Sequence, residues 1–176
     1  MSYFAVPIGS DSGGAAQGTP AKKPKPALGN IGTGWTYLYA AQGADERESI
    51  NGWYLRPAFD VGKGYSVYFD STNYYGTNRK GSLNGHGFTF GVSHNVFAMR
   101  HLKPSIAAEC GDVRTSNAGS IVNQFVFGAA FGVAIPINKH VSLALTPAEY
   151  VFLYPMSEPR NDYNAKVGLS FPFGHR

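Results

Sequence analysis

The sequence is poor in cysteine and in charged residues. Cys110 is the only cysteine among 176 residues, which excludes a disulfide framework and a thiolate metal site. Lys, Arg, Asp and Glu make up 15% of the chain, against about 25% in an ordinary soluble domain. The net charge of +4 is scattered and does not form the basic stripe with interleaved aromatics that a nucleic-acid-binding protein shows. We therefore expect no nucleic-acid partner.

Long apolar runs and clustered histidines are also missing. No run of 18 apolar residues occurs, which excludes a membrane-spanning helix. The five histidines do not lie at the spacing of metal ligands, so the sequence predicts no metal and no cofactor. Residues 1–20 lack the basic segment and the continuous apolar segment of a secretory signal. We expect either that a signal has been removed from this sequence or that the chain is not exported.

Glycine and aromatic residues are abundant instead. The chain has 22 glycines, and Phe, Trp and Tyr make up 14% of it. A disordered chain is poor in aromatics, and a helical bundle needs many Ala, Glu, Lys and Leu. The composition therefore favours an all-β protein with one domain. Residues 1–32 differ from the rest, because they are rich in Gly and Ala and then in Pro and Lys, and we predict a flexible tail there.

From residue 34 onward, apolar and polar residues alternate. Between Tyr163 and Phe173 every second residue is apolar, and the residues between them are polar or small. Such alternation predicts a strand with one apolar face. Seven further segments show it, which makes eight strands of about ten residues each, long enough for tilted membrane crossings. The alternation changes phase at Pro147, so we expect a β-bulge there.

The connections are expected to alternate in length. Residues 62–64, 95–100 and 138–139 form short turns, whereas the longer polar segments are 41–50, 75–84, 112–122 and 155–161. This pattern is typical of an up-and-down barrel with short turns at one end and long loops at the other. We predict an all-β, eight-stranded antiparallel up-and-down barrel over residues 33–174.

Two kinds of barrel fit this pattern. A soluble barrel would point its apolar face inward and hold an apolar ligand, whereas a membrane barrel points that face outward and has a polar lumen. The polar face is rich in small residues and carries six charged residues within the strands, which as a narrow lumen could form a network of paired charges: Arg56, Asp70, Lys103, Glu109, Glu149 and Lys166. The apolar face carries aromatics near both strand ends, as expected for girdles at two membrane interfaces: Trp53, Phe59, Tyr65, Tyr150, Tyr154, Phe171 and Phe173. Both features favour the transmembrane barrel.

Several segments resemble small bacterial outer-membrane β-barrel proteins of the OmpA/OmpX type, in the porin-like outer-membrane β-barrel domain family. They are residues 34–39, 51–53, 139–141, 149–150 and 163–173. The resemblance covers about residues 33–174. It implies a place in the bacterial outer membrane, the lipid bilayer and the barrel assembly machinery as partners, periplasmic termini and external loops with an unknown partner. Phe173 matches the closing aromatic that the machinery reads, and Gly174-His175-Arg176 run past it.

The charged residues allow two functions. If the turn is centred on Lys63, Arg56 lies opposite Asp70 on the same face. Such a pair favours a largely plugged lumen, and hence a structural or surface-interaction protein, over a narrow ion or small-solute channel. A soluble barrel that binds an apolar ligand is the third hypothesis. We predict no enzymatic activity, because His140, the best placed histidine, lies beside a short turn and nine positions before Glu149.

Overall fold

The computed structural model describes residues 27–41, 47–78, 81–97, 99, 101–117, 120–154 and 160–174. Each strand pairs antiparallel with the next, and the last pairs with the first, so the sheet closes into a barrel. No helix within these residues is long and apolar enough to cross a bilayer. The strands are β1 (Gly29–Ala41), β2 (Arg47–Gly62), β3 (Tyr65–Asn78), β4 (Gly81–Asn95), β5 (Lys103–Asn117), β6 (Ser120–Pro136), β7 (Ser142–Tyr154) and β8 (Arg160–Phe173).

The turn between β2 and β3 sets the register of the first charged pair. Gly62, Lys63 and Gly64 have φ values of 97°, 54° and 81°, a left-handed region that glycine enters without steric cost. The flanking strands pair Leu55 with Ser71 and Ala58 with Tyr68. Arg56 therefore lies opposite Asp70, as the sequence predicted.

The strands are strongly staggered around the barrel. When successive partners are followed once around the sheet, the path returns to β1 at Tyr39, ten residues beyond its start at Gly29. Such a stagger tilts the strands by about 35–45° from the barrel axis. A row of paired residues therefore climbs from the end where β1 begins, called the turn end here, toward the opposite loop end. The path runs through Gly29, Phe59, Val67, Val92, Ala108, Ala129, Tyr150, Tyr163 and Tyr39.

The apolar face points outward. Phe90 is 64% exposed and Trp35 is 54% exposed, whereas Asp70 on the other face is 1% exposed. Exposed apolar side chains of this kind surround the wall on all eight strands, far beyond the isolated apolar patches of soluble monomers. The soluble alternative is wrong, because it requires the apolar face to line the interior. The predicted eight-stranded antiparallel barrel, with its apolar face outward, is confirmed.

Several strand limits differ from the predicted ones. β1 begins at Gly29 rather than at residue 33. The predicted loops 75–84 and 112–122 are largely strand, because β3 and β4 continue to Asn78 and from Gly81, and β5 and β6 continue to Asn117 and from Ser120. Their outward residues are mostly polar there, with Tyr75 and Ile121 as exceptions, so the alternation is too weak to mark the strand. The loop-tip segments 42–46, 79–80, 118–119 and 155–159, and the predicted tail over residues 1–26, lie outside the described residues.

The expected contrast between short turns and long loops is also absent. At the turn end the connection between β4 and β5 spans residues 96–102 and that between β6 and β7 spans residues 137–141, while β3 and β4 are separated at the loop end by residues 79–80 alone. The ladder pairs Asn78 with Gly81 there. Backbone pairing continues almost to the tips, so the barrel wall is taller on this side than the apolar pattern suggested.

The bulge predicted at Pro147 is confirmed. Thr146 and Pro147 together face Gly132 on β6, and Pro147 and Ala148 together face Ala165 on β8. β7 therefore carries one more residue than either neighbour. Proline lacks the N–H that a regular ladder would use, and a bulge is where a sheet tolerates it.

The two faces of β8 give a direct test of this orientation. Leu169 is exposed on the outer face, while the Ser170 hydroxyl lies inside, 3.1 Å from Asn30 Oδ1. Leu169→Arg should lower the free energy of unfolding in lipid vesicles by about 2 kcal/mol, because an arginine side chain would enter the apolar layer. Ser170→Arg, the control, should change it less. Urea titration of both variants checks this, and the opposite order would mean that the faces are reversed.

Candidate functional site

Five charged side chains meet inside the barrel at mid-height. They are Arg56 on β2, Asp70 on β3, Glu109 on β5, Glu149 on β7 and Lys166 on β8, and we call them the lumen charge network. The four residues other than Arg56 are at most 8% exposed, and the Arg56 side chain is 18% exposed. Their inward direction follows from strand alternation, so charges distant in sequence share one small volume.

Asp70 and Glu149 hold the two cations. Arg56 Nε donates a hydrogen bond of 2.6 Å to Asp70 Oδ2, and its Nη2 also contacts that oxygen. Lys166 Nζ lies 3.0 Å from Asp70 Oδ2 and 2.8 Å from Glu149 Oε2. Arg56 Nη2 lies farther from Glu149 Oε2, at 3.6 Å, and from Glu109 Oε2, at 3.8 Å. Each cation is therefore shared between carboxylates on different strands.

Two neutral hydroxyl groups donate hydrogen bonds to two of the carboxylates. The Tyr68 hydroxyl donates a hydrogen bond of 2.9 Å to Glu109 Oε2, and the Thr72 hydroxyl donates one of 2.8 Å to Asp70 Oδ1. A buried carboxylate is costly unless its oxygens are bonded. Tyr68 thus supports Glu109, the carboxylate that lies farthest from the cations.

Asn164 joins this network to the polar groups above it. Its side-chain N–H group donates to Glu149 Oε1 at 3.0 Å and to the Tyr74 hydroxyl at 3.1 Å. Its side-chain oxygen accepts a 2.6 Å hydrogen bond from Thr36. Asn164 and Thr36 are 2% and 0% exposed. The amide therefore connects four strands within the sealed interior.

Tyrosine rings flank the two cations. The guanidinium carbon of Arg56 lies 4.6 Å from the centre of the Tyr68 ring, and Lys166 Nζ lies 5.9 Å from the centre of the Tyr54 ring. Both distances are within the range of cation–π attraction. The rings also fill space that water would otherwise occupy, which strengthens the electrostatic interactions between the charges.

Two cations stand against three carboxylates in this network. Glu149 Oε2 and Arg56 Nη2 lie within ion-pair distance of opposite charges, but neither has a partner at hydrogen-bond angles. Their attraction is therefore Coulombic and depends on the low dielectric of the surroundings. The excess of negative charge makes the two cations the limiting members of the network.

Glycines on the adjacent strands make room for these large side chains. A Cβ atom on Gly91 would collide with the ring and hydroxyl of Tyr68, and one on Gly128 would lie 2.9 Å from Glu109 Cγ. Tyr68 and Glu109 can therefore lie across the lumen only because their neighbours lack side chains. This explains part of the high glycine content.

An apolar cluster lies nearer the loop end. Ile50, Tyr74 and Leu83 pack together with Leu38 against them, and the first three are at most 8% exposed. Tyr74 belongs to both layers, because its hydroxyl accepts the hydrogen bond from Asn164. The interior at these two levels is thus packed with side chains.

Lys103 does not join the network, contrary to the prediction. It lies at the first residue of β5 and is exposed at the turn end, and no ion pair connects it to the other described residues. Conversely, six residues around the network were not predicted: Thr36, Tyr54, Tyr68, Thr72, Tyr74 and Asn164. A signal for five of them was present. Tyr54 alternates in phase with Arg56, and Asn164 does so with Lys166. Tyr68, Thr72 and Tyr74 alternate in phase with Asp70.

The seven predicted girdle residues all lie on the outer face. Phe59 and Phe173 make an edge-to-face contact at 5.5 Å near the turn end, and Tyr150 makes one with Tyr163 at the same distance nearer the loop end. Among these girdle residues, Phe173 is half-buried and the others are exposed: Trp53, Phe59, Tyr65, Tyr150, Tyr154 and Phe171.

No protein-family model matches the sequence, and a search of curated proteins finds no match. Solved structures do match its fold. Neisserial surface protein A has a TM-score of 0.71 at 12% identity, covering 84% of this chain and 98% of that one. OprG from Pseudomonas aeruginosa has a TM-score of 0.58 at 9% identity, with coverages of 87% and 98%. Ail of Yersinia pestis has a TM-score of 0.52 at 11% identity, with coverages of 82% and 99%. The chain has the eight-stranded barrel fold of these outer-membrane proteins.

The charge balance of the network predicts which substitution lowers the free energy of unfolding most. Arg56→Ala leaves Lys166 alone against three carboxylates, whereas Asp70→Ala leaves two cations with two carboxylates. Each should lower the free energy of unfolding by about 1–3 kcal/mol, less than the loss in a dry core because some water can enter, and Arg56→Ala should cost more. The double variant should cost less than the sum.

Chemical denaturation in lipid vesicles measures all three variants. Lys103→Ala is the matched control in vesicles of phosphatidylcholine alone, because this exposed lysine lies outside the network and its removal should change stability there by less than about 0.5 kcal/mol. Additive losses for Arg56→Ala and Asp70→Ala would show that these two charges do not interact.

Proposed function

We propose that the chain is an outer-membrane barrel with a structural or surface-interaction role and a closed lumen. The proposal depends on one observation: the outer and inner faces of the barrel wall have opposite polarity. The outer face is apolar on all eight strands, and the inner face holds charges that are nearly all buried and paired with one another. The outer face of such a wall suits a lipid bilayer, and its inner charges are paired with one another without a bound solute.

The outer-membrane location rests on the fold and on the aromatic residues. The three similar structures are outer-membrane barrels, one of them described as a surface protein. Aromatics near both ends of the outer face are suited to the two membrane interfaces. Phe173 ends the last strand, which supports recognition by the barrel assembly machinery.

The loop end offers the surface for an external partner. Above the apolar residues Phe88 and Cys110, the outer face continues on β4 and β5 with polar residues such as His86, Asp112 and Arg114, all exposed. These residues belong to strands rather than to loops. A rigid polar sheet of this kind can project beyond the lipid and present a fixed surface.

Closure of the lumen argues against catalysis and against conduction. Asp70, Glu149 and Lys166 are 1%, 2% and 5% exposed, so their charges are turned toward one another instead of toward a substrate or an ion path. Breaking these contacts to admit an ion would leave buried charges unpaired, which is costly. We therefore propose a non-enzymatic, largely plugged barrel.

The location is tested by expressing the chain behind a secretory signal in a Gram-negative host. The protein should fractionate with the outer membrane, and unboiled samples should migrate differently from boiled ones on a detergent gel, because a closed ladder pairs every backbone group and resists detergent. A variant with Phe173→Ser should accumulate less in that membrane. Recovery of wild-type protein in the soluble fraction would contradict the proposal.

The closed lumen is tested separately by planar-bilayer recording. Folded wild-type protein should give no steady ohmic current, because the charge network and the apolar cluster fill the interior. Arg56→Ala should give more frequent openings, since it removes both a large side chain and a limiting cation. A large steady current from wild-type protein would instead favour the narrow channel.

A further inference from the structure

The outer wall carries an apolar groove where a barrel should be convex. Its volume is about 370 Å³, more than ten times the share of one water in the liquid, about 30 Å³. Six of the residues that line it are Leu102, Ile135, Val133, Leu145, Val167 and Trp35. Because Val133, Leu145, Val167 and Trp35 are successive ladder partners, the groove follows one row across four strands.

The β7 bulge explains why the wall is indented here. Pro147 lines the groove and lies in the segment where β7 has one residue more than β6 and β8. Bulges bend a strand and increase its local twist. On the far side of the row, the bulky Trp35 side chain stands out from β1 with 54% of its surface exposed, so it forms a raised edge.

The groove climbs from the turn end toward the middle of the barrel. Rows of paired residues rise toward the loop end as they pass from β5 through β6, β7 and β8 to β1. Leu102, which precedes β5, is therefore the lowest lining residue, and Trp35 lies near the top. An acyl chain that enters from the bilayer surface at the turn end can follow this path.

Basic residues stand at the lower end of the groove. Lys103 directly follows Leu102, and Lys139 lies in the turn that joins β6 to β7; both are exposed. Asp60 is the one acidic residue among the described residues at the turn end, and it accepts a hydrogen bond from the backbone N–H of Gly62. An anionic headgroup placed here would meet positive charge and little opposing negative charge.

We propose that this groove binds an anionic phospholipid of the leaflet at the turn end. One acyl chain lies in the row from Leu102 to Trp35, and the phosphate group lies against Lys103 and Lys139. The occupant needs an apolar tail of chain-like shape and an anionic head, because the groove has an apolar wall and a basic entrance. The inference rests on the proposed membrane location.

The two tryptophans provide a matched pair of reporters, since the chain has only two. Trp35 on β1 lines the groove. Its ladder partner Trp53 lies beside it on β2, also on the outer face of the barrel. Trp53→Phe leaves Trp35 as the reporter, and Trp35→Phe leaves Trp53. Both variants are refolded in phosphatidylcholine vesicles that contain increasing fractions of phosphatidylglycerol with brominated chains, which quench nearby tryptophan.

Half-maximal quenching of Trp35 should need a mole fraction of brominated phosphatidylglycerol about fivefold lower than half-maximal quenching of Trp53. A fivefold difference in affinity is expected when the headgroup makes about one effective contact with a basic residue. Brominated phosphatidylcholine should show a smaller difference. In the Trp35 reporter, Lys103→Gln with Lys139→Gln should remove the preference for phosphatidylglycerol. Lys63→Gln is the control, because Lys63 lies in the turn between β2 and β3, on the opposite side of the turn end from the β6–β7 turn that carries Lys139.

A second pair of variants tests the groove itself. Ala165→Phe should fill it and abolish the advantage of Trp35, whereas Ala108→Phe on the outer face of β5 should not. Equal quenching of both tryptophans, or an equal effect of Lys63→Gln, would overturn the proposal. Heat-modifiable migration of each variant shows that it has folded in the vesicles, so loss of the lipid site is distinguished from failure of the membrane location.

Discussion

The packing of the barrel interior depends on the ion pairs that the Lys166 ammonium group makes with two carboxylates. Lys166 lies on β8 and reaches Asp70 on β3 and Glu149 on β7, so it joins residues 96 positions apart in the chain. Buried charges are tolerated only when they are paired and well bonded. The requirement to pair therefore adds a condition to barrel closure: β8 must meet β1 in the register that brings Lys166 to the level of its carboxylates.

The same condition accounts for the unusual composition of the inner face. Pairing across the lumen needs long side chains, and a narrow barrel has space for them only where the paired residue on the neighbouring strand is small. Tyr68 extends over Gly91, and Glu109 extends past Gly128. Large and small residues are thus matched between strands, and the glycines belong to the packing as much as the tyrosines do. A larger residue at Gly91 would displace the hydroxyl that supports Glu109.

The sequence predicted what depends on neighbours along the chain. The strand number, the outward apolar face, the bulge at Pro147 and the opposition of Arg56 and Asp70 follow from alternation and from one hairpin turn. Contacts across the lumen depend on strand stagger, which local patterns do not reveal, so the contact between Lys166 and Asp70 was not predicted. Alternation also depends on an apolar outer face and not on the strand itself, which is why the largely polar continuation of β3–β6 was assigned to loops. Lys103 had the right phase but lies too near the strand end to be enclosed.

The bulge in β7 connects the interior to the outer wall. Leu143 and Leu145 point outward, so an unbroken strand would also point Glu149 outward, into the apolar layer. One extra residue over Thr146–Ala148 reverses the phase and turns Glu149 inward, 2.8 Å from Lys166. Because the same irregularity indents the outer surface beside Leu145, the groove follows from a requirement of the charge network. A regular β7 would remove the indentation only by exposing a carboxylate to the apolar surroundings, so the inner charge and the outer groove are expected to change together.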